Sequence, residues 1–282
     1  MQILNRHHLG AWPTDSVNIG RGTALGNPYV IGEHGDRDAV CDQYADRMTY
    51  RMLQGDPVIL TALLGLKADS PLVCSCAPAR CHGSEIETAW ERLQETGLPA
   101  RKPSMAYAGI GSRKTLVEQL QRMTKAAARL AGMGYTLRSG AAPGADSAFE
   151  RGAGQAKEIY LPWPGFNGST SSFVEPTRDA EEVAACLHPA WAKLSPAAKK
   201  LMARNSHQIL GQDLRSPVDF VVCWTPCGAE AESERTAATG GTGQAIALAS
   251  RWGVPVFNLA RPDAGERLRD YVEGLKHDQE AD

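Results

Sequence analysis

Three glycine-rich turns of this 282-residue chain carry residue types that bind phosphate. They cover residues 109–113, 139–146 and 239–243. Glycine lets backbone N–H groups approach an anion closely, and a helix that begins beside such a turn adds its positive dipole end. The predicted ligand-binding residues in these turns and in one later helix are Gly109, Gly111, Ser112, Arg113, Ser139, Gly140, Gly144, Asp146, Arg204, Asn205, Gly240, Gly241, Thr242 and Gly243.

The charged residues among them each have a functional and a structural interpretation. Arg113 is expected to bind a phosphate in bidentate fashion, or else to form a surface ion pair. Asp146 is either an N-cap or first-turn acid of its helix, where it favours the helix dipole, or it accepts hydrogen bonds from a ribose or base. Adjacent helical residues point to different faces, so of Arg204 and Asn205 one is expected to be internal. His207 is expected on an exposed helix face.

An acidic segment precedes the third turn. Glu230 and Glu234 belong to a charge run that is typical of a solvated loop. Beside a ligand site, the same carboxylates could supply a general base. Both interpretations stay open from the sequence.

A second candidate site lies near residue 80. Cys74, Cys76, Cys81 and His82 offer thiolates and an imidazole, the ligands that zinc prefers. The spacing is not that of paired zinc knuckles, so packed structural thiols are an alternative. In a third interpretation Cys81 is a catalytic or redox thiolate, because it precedes a predicted helix and a helix N-terminus lowers the pKa of a thiol.

Composition excludes several classes of protein. The net charge is −2, and residues 1–100 carry −4 while the remainder carries +2. Neither part is the basic body of a protein that grips nucleic acid through phosphates. No apolar run approaches the ~20 residues that cross a bilayer, and residues 1–6 lack the apolar core of a signal peptide. Seven cysteines, an odd number, argue against a disulfide framework. A cytoplasmic protein is expected.

Predicted helices and strands position these candidate residues. Apolar residues at helical spacing predict a helix over 36–53, and residues 57–64 are ambiguous between helix and strand. From residue 106 strands alternate with helices, the first helix expected from Lys114 to Ala131. This alternation predicts an α/β fold, a doubly wound parallel sheet, beside a smaller N-terminal α/β domain.

A Gly- and Pro-containing stretch over 95–104 has no apolar period and reads as a linker. The predicted domains are therefore 1–100 and 101–282.

Residues 17–95 resemble the domain of unknown function 4326, a bacterial and phage family. The resemblance rests on Ile19-Gly20-Arg21, on Gly26-Asn27-Pro28 and on the block from Cys74 to Gly83. It implies a domain boundary and a candidate site at the cysteines, without an activity.

Residues 106–260 resemble the SLOG superfamily, the Rossmann-like fold of DNA-processing protein A and the cytokinin-activating phosphoribohydrolases. The three glycine turns carry the resemblance, and Arg204-Asn205 resembles a pair in the DNA-processing branch. This implies a site for a nucleotide-type phosphate and, as in relatives, a homodimer. The phosphoribohydrolases carry catalytic acids just after the third turn; here Gly243 is followed by Gln244, Ala245 and Ile246.

The expected function is binding of a nucleotide-derived phosphate ligand, such as a nucleotide, an ADP-ribose-like molecule or a modified nucleotide signal. Similarity to phage and mobile-element proteins suggests that the ligand is sequestered or turned over in defence. One alternative is an N-glycosidase or phosphoribohydrolase with Glu230 or Glu234 as base. Another is a single-stranded DNA-binding protein, which the near-neutral charge disfavours. No membrane partner is expected, and zinc is the one candidate cofactor.

Overall fold

The structure is a computed structural model that describes residues 1–98 and 103–281, with side chains described up to residue 275. The chain divides into two compact units, Met1–Arg101 and Lys102–Asp282, called here the N-terminal and C-terminal units. The predicted domain boundary near residue 100 lies outside the described residues. Within the described residues, no helix combines the length and the apolar character needed to cross a membrane.

The N-terminal unit is built on a small parallel sheet. Its strands are β1 (Gln2–Asn5), β2 (Val17–Asn18) and β3 (Pro71–Cys74), in the order β1-β3-β2. Its helices are α1 (Arg37–Leu53), α2 (Pro57–Leu64) and α3 (Gly83–Thr96). The ambiguous segment is therefore helical. Asp56 accepts hydrogen bonds from the N–H groups of Val58 and Ile59, and proline at the first position fits a helix start.

The C-terminal unit has a five-stranded parallel sheet with the order β6-β5-β4-β7-β8. The strands are β4 (Ala106–Gly111), β5 (Thr136–Ser139), β6 (Lys157–Ile159), β7 (Phe220–Trp224) and β8 (Val256–Asn258). The helices are α4 (Val117–Gly132), α5 (Ala145–Ala153), α6 (Arg178–Ala185), α7 (Pro196–Leu210), α8 (Thr242–Arg251) and α9 (Ala264–Ala281). The predicted α/β class, with a Rossmann-like sheet and a smaller second sheet, is confirmed.

Strand order places the topological switch point of this sheet at its centre. β4 pairs with β5 on one side and with β7 on the other, so the direction in which successive strands are added reverses between β4 and β7. In open parallel sheets, ligands bind outside the carboxyl ends of the strands at this point. The aromatic rings of Tyr107 on β4, Phe220 on β7 and Phe149 on α5 pack together in the core of the unit.

The helix after the first glycine turn begins later than predicted. α4 starts at Val117, not at Lys114. The Ser112 hydroxyl accepts a hydrogen bond from the Lys114 N–H, and the Ser112 carbonyl accepts one from Thr115. This turn uses the residues that were expected to form the first helical turn. Arg113 therefore lies in a loop rather than at a helix N-terminus.

Candidate functional site

The first two glycine turns touch at the carboxyl ends of β4 and β5. The Ser139 hydroxyl donates to the Gly109 carbonyl at 2.7 Å. A Cβ atom at Gly144 would lie 2.8 Å from the Ser112 carbonyl oxygen and 2.9 Å from the Arg113 Cα, so only glycine permits this approach. Gly144 also has a φ of +87°, which side chains disfavour.

Helix α7 connects these turns to the third one. Arg204 donates from Nη1 to the Gly140 carbonyl and from Nη2 to Asn205 Oδ1, the latter at 3.1 Å. Asn205 Nδ2 in turn donates to the Gly241 carbonyl at 3.2 Å. The fold thus brings residues 109–113, 139–146 and 239–243 together, and we call this assembly the glycine cradle.

Both residues of the Arg204-Asn205 pair are buried, although one was expected to be internal. His207 is also buried, so its predicted exposure is wrong. The reason is that the second half of α7 is enclosed by neighbours on several sides. It packs against the sheet strands, α6 and α8, and residues 203–210 are all buried. Helical periodicity assumes one solvent face, and here that face is absent.

A buried ion pair lies inside the cradle. Arg204 Nη1 is 3.8 Å from Asp146 Oδ2, and both side chains are almost inaccessible to solvent. Burial raises the pKa of Asp146 to about 6, against the lowering influence of Arg204 and of the Ala142 N–H. Burial likewise lowers the pKa of Arg204, and Asp146 opposes that shift. Removing one charge from such a pair would leave the other without compensation.

Three buried polar atoms in this region have no hydrogen-bond partner among the described residues. They are Arg204 Nε, Gln208 Nε2 and Gln244 Oε1. A Cβ atom at Gly140 would overlap both the Arg204 guanidinium and the Gln208 amide, so these two groups face the same glycine. Sequence reasoning missed both glutamines. Gln208 could have been found, because it follows Arg204 by one helical turn.

The remaining predicted binding residues lie around the cradle with different exposure. Arg113 is exposed at the first turn, and Ser112 is partly buried. Gly240 and Gly241 are exposed, Thr242 is partly buried and Gly243 is buried at the start of α8. Gly111 approaches the Trp224 backbone of β7. The cradle therefore combines an exposed cation with a buried one, Arg204.

Glu230 and Glu234 are already bound by arginines. Glu230 Oε1 accepts from Arg267 Nη2 at 2.7 Å and from the Asn258 N–H at 2.8 Å. Glu234 Oε2 accepts from Arg261 Nη2 at 2.6 Å, and the Glu230 N–H and Arg261 together hold the pKa of Glu234 below its usual value. A base role for either carboxylate stays a prediction, and it would require these contacts to open.

An exposed thiol beside the third turn escaped the sequence reasoning. Cys227 Sγ lies 3.2 Å from Thr239 Oγ1 and 3.5 Å from Thr225 Oγ1. The Thr239 oxygen already accepts from the Thr236 N–H, and the Thr225 oxygen from Asn258 Nδ2, which leaves both hydroxyl hydrogens for the sulfur. Burial raises the pKa of Cys227, but the hydroxyls of Thr225 and Thr239, together with the Ala229 N–H and the Thr236 side chain, outweigh it and lower the pKa to about 7.

In the N-terminal unit the structure brings three of the four predicted metal ligands together. The sulfur atoms of Cys74, Cys76 and Cys81 all lie within 4.8 Å of one another, with 3.2 Å between those of Cys74 and Cys81. Strand β3 supplies Cys74, and the turn into α3 supplies the other two. A cluster of three thiols at such separations could hold a metal ion.

His82 lies beside this cluster. Its Nδ1 is 3.8 Å from Cys81 Sγ, and its Nε2 is 2.7 Å from the Ile19 carbonyl. Since a carbonyl only accepts, Nε2 carries the hydrogen of the neutral ring, and Nδ1 is the nitrogen without a hydrogen. Burial lowers the pKa of His82, which keeps the ring neutral.

The expected low pKa of Cys81 is not found. Burial raises the pKa of this thiol above its ordinary value, and the opposing hydrogen bond from the Gly83 N–H is weaker. The helix-end effect that predicted a reactive thiolate is therefore overcome by desolvation of the sulfur.

A parallel sheet of this strand order, flanked by helices, defines the C-terminal unit as a Rossmann-like α/β domain. In the N-terminal unit, residues 4–92 match the family described as "Domain of unknown function (DUF4326)". The predicted resemblance of this region is thereby supported. No curated protein and no solved structure matches the chain.

Proposed function

We propose that the C-terminal unit binds a nucleotide-derived phosphate ligand in the glycine cradle. The observation that carries the proposal is Arg204. This cation is buried, it connects two of the three turns through Gly140 and Asn205, and its Nε has no partner among the described residues. A guanidinium in such a position suits a phosphate or a sugar oxygen, because it offers directional donors in a desolvated setting.

The unsatisfied atoms favour a ligand that completes the site. A buried polar group without a partner costs about 1–3 kcal/mol. Arg204 Nε and Gln208 Nε2 are donors, and Gln244 Oε1 is an acceptor. A phosphate oxygen would satisfy the two donors, whose side chains both face Gly140. The exposed Arg113 is suited to meet the phosphate as it enters.

Binding is favoured over hydrolysis. The carboxylates assigned to the hydrolase alternative, Glu230 and Glu234, are held by Arg261 and Arg267. The third turn also lacks an acid immediately after Gly243. In this proposal the protein retains a nucleotide signal or a modified nucleotide rather than cleaving it, as suits sequestration.

A ligand panel tests the proposal. Calorimetric titration of the full chain with nucleoside mono- and diphosphates, ADP-ribose, ribose 5-phosphate and inorganic phosphate should find at least one saturable binder. Chromatography of the same mixtures after incubation should show no released base. Absence of binding across the panel would refute the proposal, whereas release of base would establish the hydrolase alternative.

We also propose that Cys74, Cys76, Cys81 and His82 hold a zinc ion. The observation that favours this is the fixed imidazole: zinc-bound histidines usually donate their second ring N–H to a carbonyl or carboxylate, as His82 does to Ile19. Zinc bound by thiolates with no open position has a structural role, and it would tie β3 to the start of α3.

Metal analysis of the purified protein decides the zinc proposal. One zinc per chain is expected, with loss of the metal in Cys76→Ser. The matched control is Cys186→Ser, which removes a thiol far along the sequence in the other unit. A folded chain purified without metal and unable to take up added zinc would overturn the proposal.

A further inference from the structure

A groove of about 270 Å³ runs between α4 and α9, on elements that take no part in the cradle contacts described above. Its floor is apolar and includes Leu130 from α4, Met133 directly after that helix, and Leu268 and Val272 from α9. The lining residues span 122–133 on α4 and its C-cap and 265–273 on α9. At 1.5 Å per residue the longer side extends about 16 Å, close to three helical turns.

The α4 rim of the groove is cationic. Arg122, Lys125 and Arg129 line this rim, whereas the α9 rim carries Arg269 and the acidic Glu273. All four cationic residues are exposed.

Among the described side chains, no carboxylate pairs with these four cations, and Arg122 donates only to the Gln119 amide oxygen. By contrast, Arg261 and Arg267 of the same unit each form ion pairs with two carboxylates. Within the described side chains, the positive charge of the α4 rim is therefore not neutralised by ion pairs.

We propose that this groove binds an acidic amphipathic helix of another protein. An apolar stripe on that helix would lie on the floor, and carboxylates on one side of the stripe would meet the cations of the α4 rim. Helices laid in grooves of this kind are anchored by residues one turn apart, and three turns of groove accommodate such a pattern. Charge complementarity selects the acidic partner.

The same features disfavour other occupants. A symmetric contact with a second copy would bring the four cations against their own equivalents. Single-stranded nucleic acid is bound by basic grooves that also stack bases on aromatic rings. The described lining contains no aromatic side chain.

Fluorescence anisotropy with a designed probe tests the proposal. The probe is a labelled synthetic helix of about 15 residues with leucines on one face and glutamates along the flanking row that would face α4. Titration with the full chain should saturate, and the affinity should fall by at least about tenfold in Lys125→Glu/Arg129→Glu, because two rim charges are reversed. Replacing the glutamates of the peptide with lysines, or its leucines with serines, should abolish binding.

The matched control is Arg151→Glu, which reverses an exposed arginine at the end of α5 and should leave the affinity unchanged. Circular dichroism melts of each variant confirm folding. Equal binding of the lysine peptide, or an equal affinity in the double variant and the control, would overturn the proposal. Groove-dependent binding of oligothymidylate or laurate without binding of the acidic peptide would overturn it as well.

Discussion

The two units bring their candidate functional residues together in different ways. In the N-terminal unit, the candidate metal ligands are Cys74, Cys76, Cys81 and His82, which span nine consecutive residues of one strand and one turn. In the C-terminal unit, the cradle is assembled from turns far apart in the chain and joined by one helix, α7. The first site is local, and the second exists only when the sheet is complete.

This difference determines which substitutions would disrupt each site. A local cluster depends on its own ligands and on the short segment that carries them. An assembled site depends on every close approach between its parts, including approaches made by residues that never touch a ligand. Four experiments separate these two behaviours.

The largest effect is expected from metal removal. A strong chelator should increase hydrogen exchange throughout residues 1–98, because zinc binding energy is folding energy in small units of this kind. Exchange over residues 103–275 should stay unchanged. Mass-resolved hydrogen exchange of the full chain, with and without chelator, makes the measurement. Equal protection of the N-terminal unit in both conditions would contradict a structural metal.

The next largest effect is expected at Gly144. Gly144→Ala should lower the free energy of unfolding by about 3 kcal/mol, because a Cβ atom adds backbone overlap to an unfavourable φ. Gly154→Ala is the matched control: its φ and ψ of 59° and −115° resemble the 87° and −120° of Gly144. A Cβ there meets nothing within 4 Å, so Gly154→Ala should lose only the cost of the unfavourable φ, about 1–2 kcal/mol.

Urea unfolding of the full chain, followed over residues 103–275 by mass-resolved hydrogen exchange, compares the two glycine variants. Equal destabilisation would mean that the approach of the first two turns contributes nothing to stability.

Arg113→Ala should weaken the binding of a phosphate-bearing ligand about 10- to 100-fold, since hydrogen bonds to charged groups contribute about 1.5–3 kcal/mol. Stability should not change, because Arg113 is exposed. Calorimetry with whichever nucleotide binds the parent chain measures the loss, and Arg151→Ala is the control. An affinity equal to that of the parent would remove Arg113 from the site and leave Arg204 as its cation.

The smallest effect concerns Cys227. Its alkylation by iodoacetamide should rise with pH through a midpoint near 7, because a lowered pKa makes the thiolate available above that pH. Thr239→Val removes one hydroxyl donor and should move the midpoint upward by about one pH unit. Peptide mass spectrometry after timed alkylation gives the rates, with buried Cys223 as the internal unreactive control. A midpoint near that of an ordinary thiol would show that the hydroxyls do not stabilise the thiolate.

The sequence alone determined the fold class and most element positions. Apolar spacing located α1, and alternating strands and helices predicted the parallel sheet that the C-terminal unit contains. These signals are local and repeated, so a single exception such as the late start of α4 does not hide them. The cysteine cluster was foreseeable for the same reason, because its spacing along a strand and turn fixes the distances.

Only the tertiary structure decided what the helices and turns do together. Burial of Arg204, Asn205 and His207 depends on neighbours that enclose α7 on several sides, which its own period cannot reveal. The contacts of Glu230 and Glu234 with arginines from the end of the chain, and the hydroxyl shell of Cys227, are likewise long-range. Burial and charge pairing are properties of the assembled surroundings, so residue type and spacing could name these side chains without assigning their roles.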